Sequence, residues 1–388
     1  MNVFIFSPSL PLPFGTADAR WLWVVCSELS RRGIDVGCLS CTEERSELVS
    51  EAEKLSADHG FRFRHVPLVL NERVLARKAR SLRRPFSEFA RVSGLAAAIA
   101  EERAGADIVH VEHLYPMWAF EDDTEAFPYV HYLGTIDWEL RRGMSLRDRV
   151  TSWQMGRATR RLLSRTEVAL AMTPRLATAV RAINSGLRSV QVVPMAIDPR
   201  MYEVFPVVHE PVVGVIGSMH WYPSRSAAER VLTTLWPQIR ERVPAARLLV
   251  AGWNAEKYLG NHFPVPGAEL LGEVAHPREF FSRIGVLLYP PARGSGMKVK
   301  VLEAMAYGVP VVSNGEGLEG LEPFEKDGVY ARGETDAELI DLTVALLEDA
   351  ARRRDTAARA RRLIASEYSP SPAVDRLLAA YEAGRVRK

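Results

Sequence analysis

Lys298 and Glu303 are the residues best placed to do chemistry. They lie in Gly294-Ser-Gly-Met-Lys-Val-Lys-Val-Leu-Glu-Ala-Met-Ala-Tyr-Gly-Val-Pro-Val-Val312. Ile284 to Tyr289 reads as a buried strand. Pro290, Pro291, Gly294 and Gly296 break that pattern into a loop. A helix is expected from about Met297 to Tyr307, stopped by Gly308, with the next strand starting at Pro310. Strand, glycine loop and helix N-terminus together make an anion site, because free N–H groups and the helix dipole both favour a phosphate. Lys298 falls in the first helical turn, where its charge opposes the dipole unless an anion sits beside it. Glu303 lies further along, where a carboxylate can accept two hydroxyl protons from a ribose. The same residues would equally suit a plain βαβ unit carrying a solvated Lys and Glu.

The elements that must hold these residues fill a chain of 388 residues, enough for two or three domains. Hydrophobic residues make up 47% and charged residues 25%, as in ordinary globular proteins. The net charge of +2 implies no global field for nucleic acid or another polyanion. Met1-Asn-Val-Phe-Ile-Phe6 enters a strand directly, so no secretory signal is expected. No apolar run is long enough to span a bilayer. Few cysteines fit a reducing cytoplasm, and Cys26, Cys38 and Cys41 read as structural, since Cys38 and Cys41 lack a second pair for zinc. A cytoplasmic location follows, at the inner membrane face if a basic segment docks there.

Strands are expected at Val3–Phe6, Asp35–Leu39, Asp107–Glu112, Tyr129–Leu133, Glu167–Met172 and Gln191–Val193, with helices after Thr16 or Asp18 and at 174–184. A proline-rich connection, residues 199–211, leads to a second series. It begins at Val212 and continues through a helix from about Ser226 to Arg242, strands Arg247–Ala251 and Leu270–Val274, a helix at 336–365 and a last helix at 370–384. The first loop lacks G-x-G-x-x-G, so no dinucleotide fingerprint is present. Glu112, His113 and Asp137 follow strand ends, where open α/β sheets bind ligands. Residues 71–92 are strongly basic with interleaved apolar side chains, which suits an anionic acceptor or a membrane surface, or else a solvated helix face. Residues 141–165 form a second basic helical stretch.

These pieces together resemble the retaining glycosyltransferases of family 4, the glycosyl transferases group 1 with the GT-B fold. Gly294–Val312 is similar to the family's G-G-G-T-R-L-K-I-L-E-A-M-A-x-G-x-P-V-V segment. Gly317-Leu-Glu-Gly-Leu321 resembles its G-x-E-G-L, Val192–Asp198 its V-V-P-N-G-V-D, and Pro13-Phe-Gly-Thr16 its P-x-G-G loop. The resemblance implies an α/β GT-B protein with two Rossmann-like doubly wound lobes facing a cleft. Residues 1–198 would be the acceptor lobe, 212–365 the donor lobe, and 366–388 a helix returning to the first lobe. It implies transfer of a sugar from a UDP- or GDP-sugar to a hydroxyl acceptor, with no metal and no other cofactor. Lys298 would hold the diphosphate with the Met297 and Lys298 amides. Glu303 would bind the ribose, and Val274 would lie near the base. Gly217, Ser218, Gly294 and Gly296 would pass close to the phosphates. Arg225 would add a second cation, and Gly15 and Thr16 would approach from the first lobe, with Arg20 nearby. His113 or His131 would act on the acceptor side, since Gly134 stands where the family often has His. Ser295 stands where the family has a first Glu, and His220 where Asp is usual. Those departures leave open a nucleotide-sugar epimerase or hydrolase, and a non-catalytic nucleotide-sugar-binding subunit.

Overall fold

The computed structural model describes residues 1–70, 84–120, 123–133, 146–204, 210–294 and 296–385. They form two compact units, Met1–Ala196 with Pro370–Lys388, and Ile197–Ser369.

The first unit is built on a seven-stranded sheet of order β3-β2-β1-β4-β5-β6-β7. Its strands are β1 Asn2–Ser7, β2 Asp35–Thr42, β3 Arg62–Pro67, β4 Ile108–Glu112, β5 Phe127–Val130, β6 Val168–Ala171 and β7 Ser189–Val192. Every pairing is parallel. Parallel strands are covered on both faces, which is why β1 and β6 read as unbroken apolar runs. The chain moves outward from β1 to β2 and β3, then crosses back to place β4 on the other side of β1. The point where strand order reverses therefore lies between β1 and β4, and loops diverge at the strand C-termini there.

Helix Ala17–Arg31 leaves β1 after Thr16, whose side chain accepts a hydrogen bond from Ala19 N at 3.2 Å. Thr16 is thus the cap, and Asp18 is released for another use. The last helix, Pro370–Gly384, belongs to this unit and buries Val374, Leu377, Ala380 and Tyr381. It comes so near β5 that a Cβ on Gly384 would sit 2.4 Å from Phe127. Arg32 ties its start by bonding Asp375 at 2.5 Å, and Arg188 ties its end by donating to Gly384 O at 2.7 Å.

The second unit repeats the plan with six parallel strands in the order β10-β9-β8-β11-β12-β13. They are β8 Val212–Ile216, β9 Arg247–Ala251, β10 Ala268–Gly272, β11 Val286–Leu288, β12 Val311–Ser313 and β13 Ala331–Arg332. Here the reversal lies between β8 and β11.

Several expected boundaries move. The helix after β8 starts at Tyr222, not Ser226, because Pro223 suits a first helical turn. It reaches Arg242 through a wide π turn at Val231–Leu235, where Pro237 has no N–H to give the regular ladder. The single helix expected over 336–365 is two, Asp336–Glu348 and Ala350–Glu367, because Asp349 turns extended and caps the second through Arg352 N at 2.9 Å. The strand expected at Leu270–Val274 ends at Gly272, whose φ of +68° breaks the ladder. The strand expected at Tyr129–Leu133 is Phe127–Val130. Helices Ser46–Asp58 and Leu95–Glu102 and edge strands β3 and β13 were not anticipated.

All three cysteines are free and buried; burial alone pushes the Cys41 thiol up to about 12. Residues 71–83 of the basic segment lie outside the described residues. Of the rest, Arg84 caps the Trp118 ring at 5.8 Å, and Arg161 from the second basic stretch caps it at 5.1 Å. Among the described residues, no helix is long and apolar enough to cross a membrane.

Leu377 is fully buried in the first unit. Leu377→Ala is expected to destabilise that unit by about 2–5 kcal/mol, read as an earlier chemical-denaturation transition.

Candidate active site

In the second unit, the ends of β8, β9 and β10 pack backbone against backbone. Gly217 N donates to Ala251 O at 3.2 Å, and Gly252 N to Gly272 O at 2.7 Å. A Cβ on Gly252 would lie 1.8 Å from Gly217 O. One on Gly217 would meet Ser224 Oγ at 2.7 Å and Lys300 Cε at 2.9 Å. Glycine at these two positions is therefore a packing requirement.

Across the strand-order reversal, the loop after β11 is pinned from three sides. Ser313 Oγ donates to Tyr289 O, Asn314 Nδ2 donates to Pro291 O at 2.8 Å, and Ala292 N donates to Ser226 Oγ at 3.0 Å. Gly294 N donates to Glu316 Oε2 at 3.1 Å. Gly296 turns the chain with φ +81°.

The helix that follows is Val299–Tyr307, so Lys298 is its N-cap in extended conformation and not part of its first turn. Lys298 is 7% exposed and Glu303 6%, which excludes the plain reading of a solvated Lys and Glu. Lys298 Nζ donates to Gly296 O and lies 4.0 Å from Glu319 Oε2. Burial lowers the Lys298 pKa, with Glu319 opposing. Lys300, whose purpose the sequence left open, bonds Ser224 Oγ at 3.0 Å and the Tyr289 hydroxyl at 3.2 Å, directly against Gly217.

The remaining expected residues are distributed around this centre. Met297 is buried against Gly320, whose Cβ would lie 2.8 Å from Met297 Cγ. Ser218 and Val274 are half-buried just beyond β8 and β10. Arg225 lies over the Tyr258 ring at 5.0 Å and the Tyr222 ring at 5.6 Å, with Glu229 at 3.8 Å. His220 Nδ1 is 3.3 Å from the Tyr258 hydroxyl. Ser295 lies outside the described residues.

The first unit holds a second constellation at its own reversal. Gly15, with φ +83°, turns the chain out of β1 into Thr16 and Asp18. β4 ends on Glu112, and His113 follows with φ +66°, unusual for a side-chain-bearing residue. His131 stands one residue past β5. Glu112 is the hub. It accepts from Trp21 Nε1 at 3.1 Å, and its oxygens lie 2.9 Å from His110 Nε2 and 2.6 Å from His131 Nε2. The Tyr381 hydroxyl, from the last helix, meets His110 Nδ1 at 2.8 Å. Asp18 lies 3.3 Å from His131 Nδ1 and 3.4 Å from His113 Nε2, and the two imidazoles stack at 4.0 Å.

Burial disfavours charge on Glu112, His131 and Asp18, yet their pairing with neighbours prevails. Against that burial, His110 and His131 bring Glu112 down to about 2. Asp18 and Glu112 lift His131 to about 9. Asp18 is held well below the usual carboxylate range by His113 and His131.

The sequence treated His113 and His131 as alternatives and offered Asp18 beside Thr16 as a helix cap; the structure brings Asp18, His113 and His131 together. The adjacency of Glu112 and His113 at a strand end was the available signal. Gly134 and Asp137 lie outside the described residues. Arg20 is in helix Ala17–Arg31.

Glu112 is 2% exposed. Glu112→Ala leaves His110 and His131 buried without their common carboxylate. It is expected to cost about 3–5 kcal/mol of stability, measured by denaturant titration against the parent chain.

Residues 210–349 match the model of a family described as glycosyl transferases group 1. No curated protein matches the chain. Among solved structures, HepE of Anabaena in complex with UDP is 13% identical with a TM-score of 0.65, covering 99% of this chain and 100% of that one. Sucrose-phosphate synthase of Thermosynechococcus elongatus is 13% identical with a TM-score of 0.67, at 98% coverage of both. WaaG, a glycosyltransferase involved in lipopolysaccharide biosynthesis, is 15% identical with a TM-score of 0.63, covering 97% of this chain and 98% of that one. At these identities the likeness carries the fold. With two Rossmann-like parallel-sheet units, the chain has the GT-B fold, and residues 210–349 of its second unit are similar to the glycosyl transferases group 1 family.

Proposed function

We propose that this protein is a retaining glycosyltransferase that moves a sugar from a nucleoside diphosphate sugar to a hydroxyl acceptor. The observation that carries the reading is the buried Lys298 at the head of helix Val299–Tyr307, inside the group 1 match, with Lys300 of the same helix packed against Gly217 at the end of β8. A buried ammonium at a helix N-terminus, next to backbone that can approach closely, suits a diphosphate. Glu303, further along the helix, would take the ribose hydroxyls. Gly217, Ser218, Gly294, Ser295, Gly296 and the Met297 amide would line the phosphates, and Val274 would border the base. The likeness to a protein solved with UDP favours a UDP-sugar over a GDP-sugar.

The chemistry demanded is modest. The leaving group is a nucleoside diphosphate, so the transition state needs its growing negative charge neutralised. Lys298, Lys300, Arg225 and the helix N-terminus can do that with fixed charges and dipoles, without a metal at the diphosphate. The departing phosphate can take the acceptor proton, which leaves retention at the anomeric carbon without an enzymatic nucleophile. His113, together with Gly15 and Thr16, would serve the acceptor side. The acceptor class is a glycan, a glycolipid or a secondary metabolite, with residues 71–92 as a candidate contact for an anionic acceptor or membrane surface.

A thermal-shift panel of UDP, GDP and ADP tests the reading, because a ligand that binds only the folded state raises the melting temperature. UDP is expected to give the largest shift. Lys298→Ala is expected to remove that shift and to cut transfer by a factor on the order of 100–1,000; unchanged turnover would sink the assignment.

Proton linkage gives an independent check. Burial lowers the Lys298 pKa in the free protein, whereas a bound diphosphate favours the charged amine and raises it. Between those two values, UDP binding should take up a proton, and affinity should fall as pH rises. Calorimetry in buffers of different ionisation enthalpy reads this uptake, and Lys298→Met is expected to abolish it.

A further inference from the structure

We infer that Asp18, His113 and His131 form a binding site for one divalent transition-metal ion, with zinc the best fit. Asp18 comes from the first turn of helix Ala17–Arg31, His113 from the residue after β4 and His131 from the residue after β5, and the three converge beside the strand-order reversal of the first sheet. One ligand atom from each lies within 4.8 Å of the others. The Asp18 oxygens stand 3.3 Å from His131 Nδ1 and 3.4 Å from His113 Nε2. Two ligands each about 2.0–2.1 Å from a tetrahedral zinc are separated by about 3.3–3.4 Å, so the spacing matches coordination. It is long for a good N–H···O bond, for which about 2.7–3.2 Å is usual.

The second observation is His131 Nδ1. His131 is 5% exposed, and this atom is buried without a hydrogen-bond partner although it faces the Asp18 carboxylate. Its other nitrogen, Nε2, lies 2.6 Å from Glu112 Oε2. With Nε2–H donating to that carboxylate, Nδ1 faces Asp18, and a metal ion between them would take the place of the proton that otherwise joins the pair. A carboxylate behind a ligating histidine is the usual outer support of such sites, fixing tautomer and ring orientation. Trp21 Nε1 and His110, in turn backed by Tyr381, hold Glu112 in place.

His113 supports the same conclusion from the backbone. Its φ of +66° is a strained choice for a residue with a side chain, and it brings Nε2 to Asp18. Two imidazoles and one carboxylate suit zinc and its neighbours rather than magnesium or calcium. Three protein ligands also leave a fourth position. The Asp18 side chain is 40% exposed and that of His113 14%, so water or a hydroxyl can reach it. The inference is independent of the donor-site reading, because all of its residues belong to the first unit.

The test uses the full chain, stripped with chelator and titrated with Zn2+ and, in parallel, Co2+. The expected result is one ion per chain by elemental analysis and intense visible Co2+ bands of a four-coordinate site. Asp18→Ala and His113→Ala replace side chains that are only partly buried, and circular dichroism verifies that they fold. Each is expected to lower stoichiometry below a tenth of an ion and to erase the bands, while Lys298→Ala keeps both. Chelator should lower the melting temperature of the parent chain and leave Asp18→Ala unmoved. A parent chain that binds no zinc, or folded variants that bind as the parent does, would overturn the site.

Discussion

Two parallel sheets, each reversing its strand order beside its first strand, set what this protein can do. β1 is flanked by β2 and β4, and β8 by β9 and β11, and in each case the chain reaches the two neighbours in opposite directions. Loops at that point diverge and leave strand C-termini accessible, which is where open α/β sheets bind their ligands. Both constellations of polar residues lie there. Lys298, Gly217 and Lys300 gather at the reversal of the second sheet, and Asp18, Glu112, His113 and His131 at that of the first.

The two centres solve the cost of buried charge differently. Lys298 is buried against the Gly296 carbonyl and 4.0 Å from the Glu319 carboxylate, and burial lowers its pKa. In the first unit, Glu112 lies against His110 and His131, and Asp18 against His131 and His113. Burial of a charge is expensive unless it is paired, so each network constrains the backbone around it. The last helix shares in this, because Tyr381 closes the His110 end of the network.

Much of the fold was readable in the chain. Both βαβ series, the proline-rich stretch between them and the final helix follow from apolar runs separated by glycine and proline. Edge strands β3 and β13 were missed because an edge strand need not be apolar; Arg62–Pro67 alternates charged and apolar residues and is half-exposed. Helix ends at Tyr222 and Asp349 were missed because capping and the π turn depend on single residues against a continuous helical pattern.

The donor-type loop was legible because its parts are contiguous: strand, glycine loop, Lys298 and Glu303 occupy one short stretch, and local rules of turn and helix formation suffice to assemble them. The burial of Lys298 and the approach of Lys300 to Gly217 were not, since each depends on strands and helices that pack from elsewhere. The first-unit network lay beyond local reading altogether. Trp21 and Glu112 are 91 residues apart and Glu112 and His131 are 19 apart. Only the order of strands in the sheet brings them together. By itself the sequence determined two α/β units and one strand, glycine loop and helix in succession, because those follow from periodicity and glycine placement. The tertiary structure decided that Asp18, His113 and His131 share one centre, because convergence at a sheet reversal is a property of topology and not of any single segment.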